Sequence, residues 1–239
     1  VRTRSAAGTG ERAEARAAKA KAAKDDLSRD AVVDRALAIA DVEGLDAVTI
    51  RRLAQEFGVT PMALYWHVSN KDELLAAMGD RLFADLDVHA VAGGGRWQHQ
   101  LRRILAAVVA ALRAHPAAAL LGAQRILYCD PGREAAERTL ELLVHAGFDL
   151  DMACDISRHA MQTSVMLVSQ QPGELTTAAE LRETVMAEKR KAIVSLPVDR
   201  YPLLVASADG LTSCDDEDGY YWFGIDLFVA GVEGMLRRR

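Results

Sequence analysis

Between Leu27 and Leu86 apolar residues recur at intervals of three and four, in four short runs that each open on a residue able to cap a helix. Ser28 precedes Val32, Ala36, Leu37, Ile39 and Ala40; Leu27 and Val32 stand at hydrophobic-staple spacing, and Gly44 closes the run. Thr49 opens a second run with Leu53, Ala54 and Phe57 on one face and Val48 as staple to Leu53, and Gly58 ends it. Thr60 opens a third, short helix with Pro61 at its first position, where a missing N–H costs nothing. Asn70 and Glu73 have the spacing of a capping box for a fourth helix through Leu74, Leu75, Met78 and Leu82 to Leu86.

The same period continues beyond Trp97. It predicts helices over Leu101 to Leu112, Glu134 to His145 (closed by Gly147), Leu150 to Val168, Ala178 to Ser195 (stopped by Pro197) and Tyr220 to Leu236. The acidic stretch Asp215 to Asp218 reads as a solvated loop before the last of these. Strand-like alternation is nowhere sustained. Half of the residues are hydrophobic but only 5% are aromatic, with Ala and Leu foremost, which favours packed helices. The expectation is an all-α chain: an arm over 1–27, a three-helix helix-turn-helix domain over 28–86 and a larger helical domain over 87–239.

Charge refines this division. Residues 1–24 carry seven bases and two acids, +5 in a chain whose net charge is −5. An Ala-rich basic arm with almost no large apolar residue reads as disordered or as helical only on a partner; an appended solubilising tail accounts for it equally. Cys129, Cys154 and Cys214 have no paired spacing for zinc or a disulfide framework, which suggests a cytoplasmic protein. The longest apolar run, Ile104 to Leu112, lies between Arg103 and Arg113 and is too short for a membrane span. No Glu-x-x-His pair, phosphate-cradling glycine loop or nucleophile elbow appears, so an enzyme, a cofactor and a metal site are not expected.

Two short helices joined through Gly58, the second opened by Thr60 and Pro61, suit a DNA-reading helix-turn-helix whose second helix enters the major groove. Thr60 and Tyr65 can donate to phosphate, His67 and Lys71 can reach backbone oxygens, and Arg51 can reach a guanine edge. A helical hairpin with Tyr65 and Trp66 in its core explains the apolar residues too, but not why Tyr65, Trp66 and His67 follow a proline-started helix so closely. From Asp25 to Lys71 five bases face eight acids, so the motif itself is net −3 and the arm is the candidate source of attraction to phosphate.

These residues resemble a known family. Thr49-Ile50-Arg51-Arg52-Leu53-Ala54, Gly58-Val59 and Ala63-Leu64-Tyr65-Trp66-His67-Val68-Ser69-Asn70-Lys71 look like the DNA-binding domain of TetR-family repressors, close to the tetracycline repressor branch. Trp97, His115-Pro116, Ala146-Gly147-Phe148, Tyr201-Pro202-Leu203-Leu204 and Phe223-Gly224-Ile225-Asp226-Leu227 extend the resemblance. It implies a homodimer reading palindromic operator DNA and released by a small-molecule effector, with DNA contacts from Thr49, Arg51, Thr60, Pro61, Met62, Ala63, Tyr65, Trp66, His67 and Lys71. It also implies a four-helix dimer interface from residues near 152–169 and 219–236, to which Phe223, Leu227 and Val229 bring apolar surface and Gly224, Gly231 and Gly234 close approach.

Two departures matter. Pro61, Met62 and Ala63 replace polar readers at the start of the third helix and offer only apolar contact, such as one to a thymine methyl. The positions that hold drug and magnesium in the tetracycline branch align with Asp87, Gly122, Ile104 and Arg125, which argues against tetracycline–magnesium as ligand. Polar residues inside otherwise apolar helices are the candidate effector contacts: Gln124, Arg125, Tyr128, Thr139, His159 and Gln162, with Met161 and Met166 as adaptable walls. A regulator without an effector remains open; an enclosed space within residues 97–170 distinguishes the two.

Overall fold

A computed structural model describes residues 27–170, 179–213 and 216–237, and among these every regular element is helical. The helices are α1 (Arg29–Glu43), α2 (Ile50–Phe57), α3 (Pro61–Leu64), α4 (Lys71–Arg81), α5 (Val88–Ala92), α6 (Trp97–Arg113), α7 (Ala119–Arg125), α8 (Asp130–His145), α9 (Leu150–Ser169), α10 (Ala179–Val194), α11 (Pro202–Ala206), α12 (Ala208–Thr212) and α13 (Glu217–Leu236). The basic arm, Leu27 apart, lies outside the described residues, as do Cys214 and Asp215.

Local chemistry starts and stops these helices. The Ser28 hydroxyl accepts from the Ala31 N–H at 3.1 Å, Thr49 from Arg52 at 3.1 Å, and the Asn70 side chain from Glu73 at 2.8 Å. Gly58 takes a left-handed conformation (φ 65°), and the bonds Val59 N–H to Ala54 O and Gly58 N–H to Gln55 O form a Schellman turn between α2 and α3.

Four expectations are corrected. Thr60 makes no side-chain cap; the Pro61 ring fixes the start of α3 instead, and α3 proper is a single turn, prolonged by the bonds His67 N–H and Val68 N–H to Leu64 O. The Glu73 carboxylate turns back to the Ser69 N–H at 2.7 Å, one residue before the one a capping box uses. Helix α4 ends at Arg81, because the following amides bond three residues back (Phe83 to Asp80, Ala84 to Arg81), a tighter winding that puts Leu82 and Phe83 into the core. The acidic stretch is helical from Glu217: Asp216 caps α13 through the Gly219 N–H, and Asp218 and Glu217 meet Arg113 at 2.8 and 3.3 Å.

The N-terminal helix-turn-helix domain packs α1 on α4 and α2 on α3, around buried Leu37, Leu53, Leu64, Leu74 and Met78. In the larger domain α6 is central, with α9, α13 and α8 against it; α10, α11 and α12 pack chiefly on one another. Trp97 meets Phe148 edge to face at 6.1 Å, joining the start of α6 to the turn after α8. One contiguous apolar core runs from Val32 to Val232. Between the two domains the most extensive packing is α4 on α7.

Candidate functional site

Around α2 and α3 the side chains divide into two sets. Leu53, Leu64 and Val68 are buried and hold the two helices together, whereas Thr49, Arg51, Thr60, Pro61, Met62, Tyr65, Trp66 and Lys71 are exposed; Ala63 and His67 are half-buried. Trp66 is 86% exposed and Met62 69%, so the core-hairpin alternative fails: the indole is left almost wholly uncovered by the described residues.

The charges sort as sharply. Arg29 pairs with Glu73, Arg35 with Glu56, Arg52 with Glu43 and Glu56, and Arg81 with Asp34. The Glu43 and Glu56 hydrogen bonds, in that order, hold the Arg52 guanidinium above its usual range. Among the described residues Arg51 and Lys71 pair with no carboxylate, so they are the cations of this surface left for an external anion. The internal pairs also neutralise several acids of a motif whose formal charge is unfavourable.

In the larger domain a cavity of about 800 Å³ lies between α6, α7, α8 and α9. Its wall is mostly aliphatic, with Ile104, Leu105 and Val108 from α6 and Leu140 and Val165 from α8 and α9. Of the sequence candidates, Gln124, Thr139, Met161, Gln162 and Met166 are brought together on this wall. Arg125, Tyr128 and His159 are not. Arg125 turns away to Asp80 on α4, meeting both carboxylate oxygens at 2.9 and 3.1 Å, and its guanidinium lies 4.4 Å from the Tyr128 ring. That hydrogen bonding raises the Arg125 pKa, with the nearby charges adding to it. His159 is exposed on α9 and Tyr128 is 66% exposed.

Local spacing did not reveal several features. Arg158 and Cys154 line the cavity because α9 turns them toward α6 and α8, a tertiary relation with no signature in neighbouring residues. Two links between the domains also went unseen: Asp80–Arg125, and His115 Nδ1 to Asp41 Oδ2 at 2.7 Å. Beside the first of these α4 and α7 are in tight contact, since a Cβ on Gly79 would stand 2.8 Å from the Leu121 carbonyl oxygen.

On α13, Tyr221, Ile225, Val229 and Val232 are buried against the chain's own core, while Phe223 (71% exposed) and Leu227 (65%) form a stripe continued by Gly231 and Gly234, which have open space above them. Val229 and Gly224 therefore belong inside the chain rather than on that stripe; a Cβ on Gly224 would meet Leu167 of α9.

An exposed helix-turn-helix joined to a helical domain with a half-open rather than enclosed cavity defines a class, and comparison with known proteins gives its name. Residues 32–78 match the family model of bacterial regulatory proteins of the tetR family, and residues 91–236 match the tetracyclin repressor-like C-terminal domain. The chain belongs to the TetR family of DNA-binding transcription regulators.

It is 27% identical over 220 residues to the HTH-type transcriptional repressor DrrR1 of Streptomyces coeruleorubidus, a match spanning 90% of this chain and 81% of that protein. With the class D tetracycline repressor protein of Escherichia coli it shares 29% over 215 residues, 88% of this chain and 91% of that one. Among solved structures, ActR of Streptomyces coelicolor in complex with actinorhodin superposes with a TM-score of 0.68 at 29% identity, covering 87% of this chain and 97% of that one. These relatives are regulators rather than enzymes. Among the described residues no single helix is long and apolar enough to cross a membrane.

Proposed function

We propose that this chain is a cytoplasmic, ligand-responsive repressor that binds a palindromic operator as a homodimer and leaves it when a small molecule fills the cavity. The helix-turn-helix domain ends near Leu86, and the remainder forms the effector and dimer domain. Arg51 reads a base; Thr49, Thr60, Tyr65, His67 and Lys71 position the motif on phosphate; Pro61, Met62, Ala63 and Trp66 supply apolar contacts to sugar and thymine methyls. The exposed stripe of Phe223 and Leu227 on α13, with α9 beside it, is the dimer face: two large apolar side chains one helical turn apart are left mostly uncovered by the described residues.

The observation that carries the effector reading is the cavity of about 800 Å³, within the size range of small-molecule sites and placed beside α7, the helix most extensively packed on α4. Gln124 lines the cavity and the next residue, Arg125, holds Asp80. A ligand that moves α7 therefore pulls on the helix that follows the reading motif. Ligand binding favours dimers whose two reading helices no longer match successive major grooves, roughly 34–36 Å apart.

The architectural alternative is separated by retention of genomic fragments on the full chain at stated salt. A few discrete fragments sharing an inverted repeat support the repressor reading; uniform retention of all fragments supports architectural binding and overturns it.

A further inference from the structure

Building on the effector reading, the cavity wall has a chemical bias that narrows the class of molecule it takes. Among its described lining residues are no Asp, Glu, His, Phe, Tyr or Trp. A hard divalent cation bound through a ligand is held chiefly by carboxylates, and the described wall offers only the Gln124 and Gln162 amide oxygens; a softer one needs imidazole or thiolate, of which only Cys154 is there. An organic cation needs a carboxylate or an aromatic face, since a desolvated charge without either is held at a loss. The Tyr128 ring, outside the described wall, already carries the Arg125 guanidinium.

Two of the wall's hydroxyls are committed as donors, while Ser157 can present either polarity. The hydroxyl protons of buried Thr139 and Ser164 go to the Ala135 and Ala160 carbonyls at 2.7 and 2.9 Å, so those oxygens offer lone pairs to the cavity. Gln124 and Gln162 can turn either end of the amide inward. Among the described lining residues the one formal charge is the Arg158 guanidinium, whose tie to Asp155 is an exposed i,i+3 pair at 3.1 Å, weak enough to yield to a better acceptor. Its exposure, 63% for the side chain, places it at the rim rather than in the depth of the cavity.

We propose that the effector is a metal-free, chiefly apolar molecule bearing an acidic group that Arg158 meets at the rim, and that cationic ligands and metal chelates are excluded. Its apolar body lies against α6 and α8, and any hydroxyl it carries donates to Thr139 or Ser164. The class rests on the reading of this cavity as the effector site.

Matched probes test it on the full chain. Anilinonaphthalene sulfonate and N-phenylnaphthylamine share one apolar body and differ by the anionic group; tetraphenylphosphonium is an apolar cation. Fluorescence titration should give binding of the sulfonate about tenfold tighter than of the amine, the ratio a single charge-assisted hydrogen bond supplies. EDTA should change neither, and tetraphenylphosphonium should displace neither. Arg158→Gln, at an exposed position that folding tolerates, should remove most of the sulfonate's advantage and leave the amine within about twofold, while Arg158→Lys keeps part of it.

Displacement by tetraphenylphosphonium, loss of binding in EDTA, an unchanged sulfonate affinity in Arg158→Gln, or binding of none of the probes overturns the assignment. Operator release is read separately. Probes that bind as described without loosening the operator complex leave the ligand class standing and remove the effector reading; displacement by the cation with release intact does the reverse.

Discussion

Gly79 lies where α4 and α7 touch, and its replacement by alanine probes the contact between reading domain and cavity. A Cβ there would stand 2.7 Å from Arg125 Cγ and 2.8 Å from the Leu121 carbonyl oxygen. The arginine stem can swing aside. The carbonyl belongs to the backbone of α7, so an ordinary contact requires the helices to part by ~0.7 Å. Two effects oppose each other: alanine favours an isolated helix over glycine by about 1 kcal/mol, and overpacking typically costs about 1–3 kcal/mol. With backbone as the obstacle the second wins, for a net loss of up to about 2 kcal/mol, or a Tm lowered by up to roughly 4–8 °C in a chain of this size.

Calorimetry of the full chain measures this, with fluorescence anisotropy on operator DNA alongside, because the same displacement is delivered to α4. Gly224→Ala is the control: the three atoms nearest its Cβ would all belong to the flexible Leu167 side chain rather than to backbone, so its Tm should fall by less or rise. A higher Tm for Gly79→Ala with unchanged operator affinity would show that α4 and α7 do not bear on each other there, and would remove this route from cavity to operator.

Arg51→Ala should lose discrimination between operator and mismatched duplexes by about 1–3 kcal/mol, whereas Lys71→Ala should weaken binding to all duplexes and lower the salt slope by about one; equal losses on every sequence for both contradict that division. Glu73 is held below the usual carboxylate range chiefly by the Ser69 N–H, then by its hydroxyl and by Arg29, so the ionised carboxylate stabilises the fold above the unfolded pKa and that contribution is lost as pH falls through the lowered folded one. Wild type should therefore exceed Glu73→Gln in stability at neutral pH and converge with it below about pH 4; a gap that stays constant in denaturant melts from pH 7 downward refutes the assignment. Phe223→Asp with Leu227→Asp should give a folded monomer in sedimentation equilibrium, since both side chains are mostly exposed in the single chain; an unchanged mass places the dimer face elsewhere.

What the sequence disclosed was local. The caps at Ser28, Thr49 and Asn70 and the Gly58 turn depend on partners within a few residues, and the first helices start and stop on them. The all-helical class and the family followed from the same stretch. Features that depend on distant partners were hidden. Periodicity runs past Arg81, yet α4 ends there because Phe83 is drawn under α7, with its ring edge beside Gly122. The acidic stretch reads as a loop until Arg113, a hundred residues earlier in the chain, is seen against Asp218. Arg125 shows the limit most plainly: a polar residue on an apolar helix suggests a ligand contact, and only the fold reveals that Asp80 already holds it.

Selection of bound sequences from a random duplex pool by the full chain, at a stated salt concentration, tests most directly whether this is a dimeric sequence reader. Recovery of one inverted repeat with half-site centres about one helical turn apart is expected from two reading helices in successive major grooves. A bound pool with no common sequence, or a single unrepeated half-site, would contradict it.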